Sequence, residues 1–227
     1  MSKRARLRSV LFDLDGTLLD TAPDFATVIN LLLAENDREP MAYDLVRRTV
    51  SNGARALVRQ AFGIAEDHPR FEALRLRLLE LYDGHLLVDT VPFPGIVELL
   101  GELGLRGISW GVVTNKPSYL AAPLMERVAL RPAPGVLVCP DHVTRTKPDP
   151  EPLLLACSRL GCAVEESVYV GDHRRDIEAG RQAGMATIAA TYGYLDQGEL
   201  ASDWNADFYA DTVAGIQDVL ARHFYRH

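Results

Sequence analysis

Apolar positions change their period twice along the chain. Residues 9–12 form a short apolar run that is broken at Asp13 and followed by Leu14, Asp15, Gly16 and Thr17. A short apolar run closed by a turn signal reads as a buried strand, here ending near Gly16. From residue 22 to about 89 the spacing turns helical. Phe25, Val28, Ile29, Leu32 and Leu33 form one set, Ala54, Leu57, Val58 and Ala61 a second, and Leu74, Leu78, Leu81 and Tyr82 a third. No strand pattern interrupts them, so this stretch is expected to be a small all-helical unit.

After Pro92-Phe93-Pro94-Gly95 the two periods alternate. Helices are expected over 96–105, 117–129, 150–160, 174–183 and about 212–224. Strands are expected over 109–114, 135–139, 167–170, 185–190 and 207–209. Strands alternating with helices imply βαβ units and a mostly parallel sheet covered on both faces. The predicted fold class is therefore α/β, a Rossmann-like parallel sheet with the helical unit inserted after the first strand. Ligands of such sheets bind outside the carboxyl ends of the strands. Polar residues follow the strands at that edge: Asp13 and Asp15 after the first, Thr114 and Asn115 after the second, and Asp172 after the fourth. Lys147 lies in the connection beyond the third.

Those residue types suit phosphoryl transfer. Asp13 and Asp15 would point the same way if the strand continued, and carboxylates that close repel one another. A divalent cation is a natural compensator. Magnesium takes oxygen ligands and commonly uses one or two carboxylates with waters and substrate phosphate. Asp172 could supply a further ligand, and Asp176, four residues on, can face the same site from a helix. One carboxylate can act as nucleophile and another as general acid/base. Lys147 can neutralise phosphoryl oxygens, and Thr114 with the Asn115 amide can donate hydrogen bonds to them. Each group has a plainer reading too: a turn or cap for the aspartates, a solvated loop lysine at 147, a helix cap at 114–115. Their common placement at one sheet edge favours the site.

Composition narrows the partners. Nearly half of the 227 residues are apolar, and the formal net charge is −7. That profile fits a globular, water-soluble protein and argues against a nucleic-acid partner, which would demand basic surface. No apolar run approaches the roughly 20 residues of a membrane span. Lys3, Arg4, Arg6 and Arg8 read as a solvated lead-in rather than a secretory signal, since the apolar run after them is too short. The three cysteines, Cys139, Cys157 and Cys162, are sparse and show no zinc spacing. Buried free thiols in a reducing cytoplasm are the expectation. A monomer or homodimer is expected.

Taken together, the motifs resemble those of the haloacid dehalogenase-like hydrolase superfamily. Asp13-Leu14-Asp15-Gly16-Thr17 matches its first motif, Val112-Val113-Thr114-Asn115 the second, Lys147-Pro148-Asp149-Pro150 the third, and Gly171-Asp172 with Asp176 the fourth. The resemblance implies an aspartyl-phosphate on Asp13, with Asp15 as general acid/base. It implies magnesium held by the Asp13 carboxylate, the Asp15 main-chain carbonyl and Asp172, with Asp176 supporting the metal waters or Lys147. The helical unit would be the family's mobile cap, residues 18–89, on a core of residues 1–17 and 90–227. Its hinges would lie at 18–21 and 88–92. Asn52, Gly53 and Arg55 would be the cap residues presented to the leaving group of a small phosphorylated metabolite. Asp15 and a cap without lysine separate the chain from dehalogenase and phosphonatase branches. Residues 16–24, 51–55 and 191–194 look like phosphoglycolate phosphatases. Residues 110–117, 139–143 and 147–152 look more like bacterial N-acetylmuramic acid 6-phosphate phosphatases of cell-wall sugar recycling. A phosphosugar mutase and a phospho-acceptor signalling domain are the alternatives. His173 and Arg175 depart from the commoner fourth motif. His142 and His173 are expected near the site without a catalytic role, and Trp110 and Tyr192 as packing residues.

Overall fold

The computed structural model describes residues 6–196 and 198–225; Lys3 and Arg4 of the basic lead-in lie outside them. Strand β1, Ser9–Phe12, occupies the middle of a six-stranded sheet. It pairs in parallel with β4, Ser109–Val113, on one side and β6, Ser167–Gly171, on the other. Phe12 stands opposite both Val112 and Val170. The sheet continues outward through β5, Val136–Val138, beyond β4, and through β7, Ala186–Ala190, and β8, Phe208–Ala210, beyond β6. The strand order reverses at β1, so the crevice of a doubly wound sheet opens at its carboxyl end.

Side-chain alternation divides the core between the two faces. Val10 and Phe12 pack with Leu99 and Leu103 of α5, Ile96–Leu105, with Leu124 of α6, Ser118–Val128, and with Ile216 of α9, Val213–His223. Leu11 faces the opposite way, toward Leu153 and Ala156 of α7, Glu151–Leu160, and Ala179 of α8, Arg174–Ala183. Every residue of β1 and β6 is buried. That is why these strands read as continuous apolar runs in the sequence.

Between β1 and α5 the chain makes the helical unit. It consists of α1, Ala22–Ala34, α2, Tyr43–Thr49, α3, Gly53–Phe62, and α4, Phe71–Asp83. These helices share a separate core that includes Val28, Ile29, Leu57, Val58, Leu74 and Leu78. Phe25 stacks on Tyr82 with ring centroids 3.9 Å apart. The sequence pattern misses α2, because only Val46 of its seven residues is buried and the apolar positions Tyr43, Leu45 and Val46 are too few to set a helical period. Short strands flank the all-helical stretch expected over 22–89, in the segments 18–21 and 88–92 expected as its hinges. Leu19–Asp20 forms strand β2 and pairs antiparallel with β3, Val91–Pro92, where the chain enters and leaves.

The same junction is fixed by Asp24, which is fully buried in the first turn of α1. Its carboxylate accepts the amides of Val88, Asp89 and Thr90 and the Thr90 hydroxyl, the last at 2.6 Å. One side chain thereby ties the outgoing segment to the returning one. The cysteines are free, as expected, but Cys162 is only partly buried. It follows Gly161, the left-handed residue that ends α7, and the chain turns there at the protein surface.

Candidate active site

Three adjacent strands, β4, β1 and β6, deliver their following residues to one place. The Asp13 amide still donates to Val170 O at 2.9 Å, and the Thr114 amide to Val138 O at 3.0 Å. The ladder thus fixes the backbone up to the first chemical group. Beyond Asp13 the chain leaves the strand and turns at Gly16, where φ is +88°. A Cβ there would lie 2.2 Å from Asp172 Oδ2, so the turn requires glycine both for its backbone and for the approach of Asp172.

The turn separates the two aspartates that a continued strand would have aligned. Asp13 faces Lys147, whose Nζ is 2.9 Å from Asp13 Oδ1 and 2.7 Å from Asp176 Oδ1. The ammonium also donates to Val113 O and to the Tyr169 hydroxyl, at 2.9 and 2.8 Å. Lys147 is 3 % exposed, which removes the solvated-loop reading. Asp15 instead accepts from the Thr21 hydroxyl at 2.7 Å and from Lys116 Nζ at 2.9 Å. Its charge is balanced by a lysine of its own, where the expectation was a cation shared with Asp13. Lys116 is buried and also donates to the Tyr82 hydroxyl of α4 at 2.9 Å. Sequence reasoning missed Lys116. It stands in the loop after Thr114-Asn115, and only the fold brings Asp15 and Tyr82 to it.

Asp13, Asp172 and Asp176 form a compact acidic group whose carboxylate oxygens lie within 4.8 Å of one another. Asp172 is fully buried. It accepts the Thr17 hydroxyl at 2.7 Å and the Tyr194 amide at 2.8 Å, and the Ser51 hydroxyl lies 3.4 Å away. Burial holds its carboxyl well above the usual carboxylate range, and the charges of Asp13 and Asp176 add to this. Burial also pushes Asp13 up to about 6, against the downward pull of Lys147. Among the described residues no cation pairs with Asp172. The donors are all oxygen, which suits a hard divalent cation. The Asp15 carboxylate lies outside this group.

The remaining expected residues surround a cavity of about 320 Å³, lined among others by Asp13, Asp15, Thr114, Asn115 and Lys147. Thr114 Oγ accepts the Lys116 amide at 3.1 Å, which leaves its own O–H to donate. The Asn115 side chain donates to Lys147 O at 3.0 Å and holds that loop in place. Neither residue caps α6. Nor is Asp172 a cap: His173 is the N-cap of α8, with Asp176 completing the capping box. From the helical unit Asn52, Gly53 and Arg55 line the same cavity, together with Ser51, Phe25 and Arg75. Arg55 is bound to Glu66 at 2.7 Å and is half exposed. Arg47 of the helical unit donates to the carbonyls of Tyr192 and Gly193 at 3.0 and 3.1 Å and ties that unit to the segment after β7. Trp110 and Tyr192 act in packing, donating to Pro132 O and Thr17 O respectively. His142 accepts the Cys139 amide and does not line the cavity, whereas His173 does.

Comparison with known proteins agrees with this geometry. The family model described as haloacid dehalogenase-like hydrolase matches residues 10–190. The chain is 49 % identical over 220 residues to an N-acetylmuramic acid 6-phosphate phosphatase of Pseudomonas aeruginosa, covering 97 % of each chain. It is 40 % identical over 200 residues to a phosphoglycolate phosphatase of Xanthomonas campestris, covering 88 % of this chain and 90 % of that one. The crystal structure of a predicted phosphoglycolate phosphatase from Haemophilus somnus superposes with a TM-score of 0.84 at 26 % identity, covering 96 % of this chain and 99 % of that one. On its motifs, its fold and these matches, the chain belongs to the haloacid dehalogenase-like hydrolase family.

Proposed function

We propose that this protein is a magnesium-dependent phosphatase that hydrolyses a small phosphomonoester through an aspartyl-phosphate on Asp13. The observation that carries the reading is the buried Lys147 ammonium between Asp13 and Asp176, opening onto a cavity that Asp15 shares. Lys147 keeps the Asp13 carboxylate ionised and oriented, so that its oxygen can attack phosphorus. Thr114 and the Asn115 amide donate hydrogen bonds to the phosphoryl oxygens, and Lys147 adds a positive charge beside them. Asp15 gives a proton to the leaving oxygen and then takes one from the water that attacks the aspartyl-phosphate. Its position on Lys116 and Thr21 keeps it apart from the nucleophile's own lysine.

Asp13, Asp172 and the Asp15 main-chain carbonyl would hold the magnesium, and Asp176 would serve it from behind while fixing Lys147. When bound, the ion neutralises charge on the carboxylates and the transferring phosphoryl group. Residues 18–89 act as a cap over the cavity, with hinges at the β2–β3 pair, and Asn52, Gly53 and Arg55 face the leaving group. The substrates named for the relatives are N-acetylmuramic acid 6-phosphate and phosphoglycolate. We place this chain's substrate among the same two, with the former favoured by the higher identity. Those relatives are named as phosphatases rather than mutases, which favours hydrolysis over isomerisation. Release of inorganic phosphate from p-nitrophenyl phosphate with magnesium, and its loss in Asp13→Asn, tests the reading. An active Asp13→Asn protein would overturn it.

A further inference from the structure

Five cationic side chains line the cavity, and four of them already face a carboxylate. Lys147 sits between Asp13 and Asp176, and Lys116 on Asp15. Arg55 is held by Glu66 and Arg75 by Glu72. The fifth, Arg175, in the first turn of α8, has only neutral partners among the described residues. Its Nε donates to His173 Nδ1 at 3.1 Å, and its Nη2 donates to Asn52 Oδ1 at 2.8 Å. His173 Nδ1 also accepts the Arg175 amide at 3.2 Å, so that nitrogen carries no proton and serves as an acceptor for the arginine. Asn52 is oriented in turn, because its amide nitrogen donates to Asp196 Oδ1 at 2.7 Å. The guanidinium is thus steered from both sides, while Nη1 and the second N–H of Nη2 remain to donate.

We propose that Arg175, oriented by Asn52 and His173, selects substrates that carry a carboxylate in addition to the phosphate. The proposal rests on the phosphatase reading and adds the residue that recognises the leaving group. A guanidinium fork matches a carboxylate through two parallel N–H···O bonds. One uncompensated charge balances one carboxylate. A second phosphate, close to dianionic at neutral pH, would be left in excess here, with Asp196 only one side chain behind Asn52. A neutral polyol would leave the guanidinium charge unanswered.

Matched substrate pairs test this. One pair is 2-phosphoglycolate and 2-hydroxyethyl phosphate. The other is N-acetylmuramic acid 6-phosphate and N-acetylglucosamine 6-phosphate, which lacks the lactyl carboxylate. In at least one pair the native enzyme should prefer the acid by kcat/KM, and Arg175→Gln should lower that acid-to-neutral ratio about 10- to 100-fold, the worth of a charge-assisted bond. Arg175→Lys, which keeps the charge without the fork, should fall between them. An unchanged ratio in Arg175→Gln overturns the proposal even if both absolute rates fall, and so does a native enzyme indifferent to the carboxylate in both pairs. Aryl phosphate turnover by the native enzyme, run in parallel, separates the two failures. Its absence overturns the phosphatase reading, and its presence with an unchanged ratio overturns only the role of Arg175.

Discussion

Replacing Lys147 with Met isolates the electrostatics of the site from its packing. The side chain is 1 % exposed, and its ammonium serves two carboxylates, one carbonyl and one hydroxyl. Met retains most of the apolar stem, and the Tyr169 hydroxyl still reaches Val113 O at 2.9 Å. What disappears is the positive charge between Asp13 and Asp176. Removing one partner of a buried ion pair costs about 3–5 kcal/mol. For a chain of this size each kcal/mol lowers Tm by about 2–4 °C, so the expected drop is about 6–20 °C in chelator at pH 7.5. The pH dependence identifies the cause. With Lys147 present Asp13 already titrates at about 6 in the folded state, against 3.8 as the ordinary value. Without the ammonium it moves higher. A carboxyl whose folded pKa is raised contributes stability that is present below the unfolded value and lost as pH rises through the folded one. The Tm deficit of the variant should therefore shrink on going from pH 7.5 to pH 5, as Asp13 takes up a proton. Circular dichroism melts at the two values decide it, and an equal deficit at both would refute the charge-based account.

Asp15→Asn should slow steady-state turnover about 10²- to 10⁴-fold, the usual worth of a general acid/base. With an aryl phosphate, whose leaving group needs no proton, intact-mass spectrometry should find one phosphoryl group retained on the protein; an unmodified, fully active variant would contradict the role given to Asp15. Magnesium should raise Tm more at pH 7.5 than at pH 5, because Asp13, pushed up to about 6, is protonated at the lower value and competes with the ion, and the upward push on Asp172 works in the same direction; equal shifts in differential scanning fluorimetry would exclude these residues as its ligands. Arg55→Ala should raise KM about two- to fivefold for the sugar or acid substrate and less for p-nitrophenyl phosphate, since Glu66 already occupies part of the guanidinium. Equal changes on both substrates would make Arg55 a surface residue only.

The sheet and its reactive edge were legible because a buried parallel strand must be apolar throughout and must end where a polar group begins. Ser9–Phe12 stops at Asp13, and Ser167–Gly171 stops at Asp172. Lys147 could be placed in the site, and its pairing with Asp176 follows from the resemblance, but its bonds to Val113 O and the Tyr169 hydroxyl could not be read, because those groups arrive from β4 and β6. Lys116 was illegible for the same reason carried further. Its partners Asp15 and Tyr82 precede it by 101 and 34 residues, and no local period records such a meeting. His173 and Arg175 could be seen as unusual, yet the orientation of the Arg175 guanidinium depends on Asn52, which belongs to the helical unit. Local pattern encodes burial and turns. Contacts between the inserted unit and the sheet are set by long-range packing and leave little trace in either segment alone.

Lys116 also explains how cap and chemistry can be coupled without a moving catalytic residue. Its ammonium bonds the Asp15 carboxylate on one side and the Tyr82 hydroxyl on the other, and it lies 4.4 Å from the Tyr82 ring centroid and 4.9 Å from that of Phe25. Both rings belong to the helical unit, on α4 and α1. Opening of that unit, as the proposed cap function requires, would exchange two aromatic faces and a phenol for water around the cation that holds Asp15. The attraction between Lys116 and Asp15 weakens as the local dielectric rises. Asp13, in contrast, keeps Lys147, which is buried and whose hydrogen bonds among the described residues all go to core residues. On the proposed mechanism the nucleophile is thereby prepared by the sheet, whereas the proton-transfer group would reach its full electrostatic setting only with the cap in place. Placing the two aspartates on different lysines, through the turn at Gly16, is what makes that division possible.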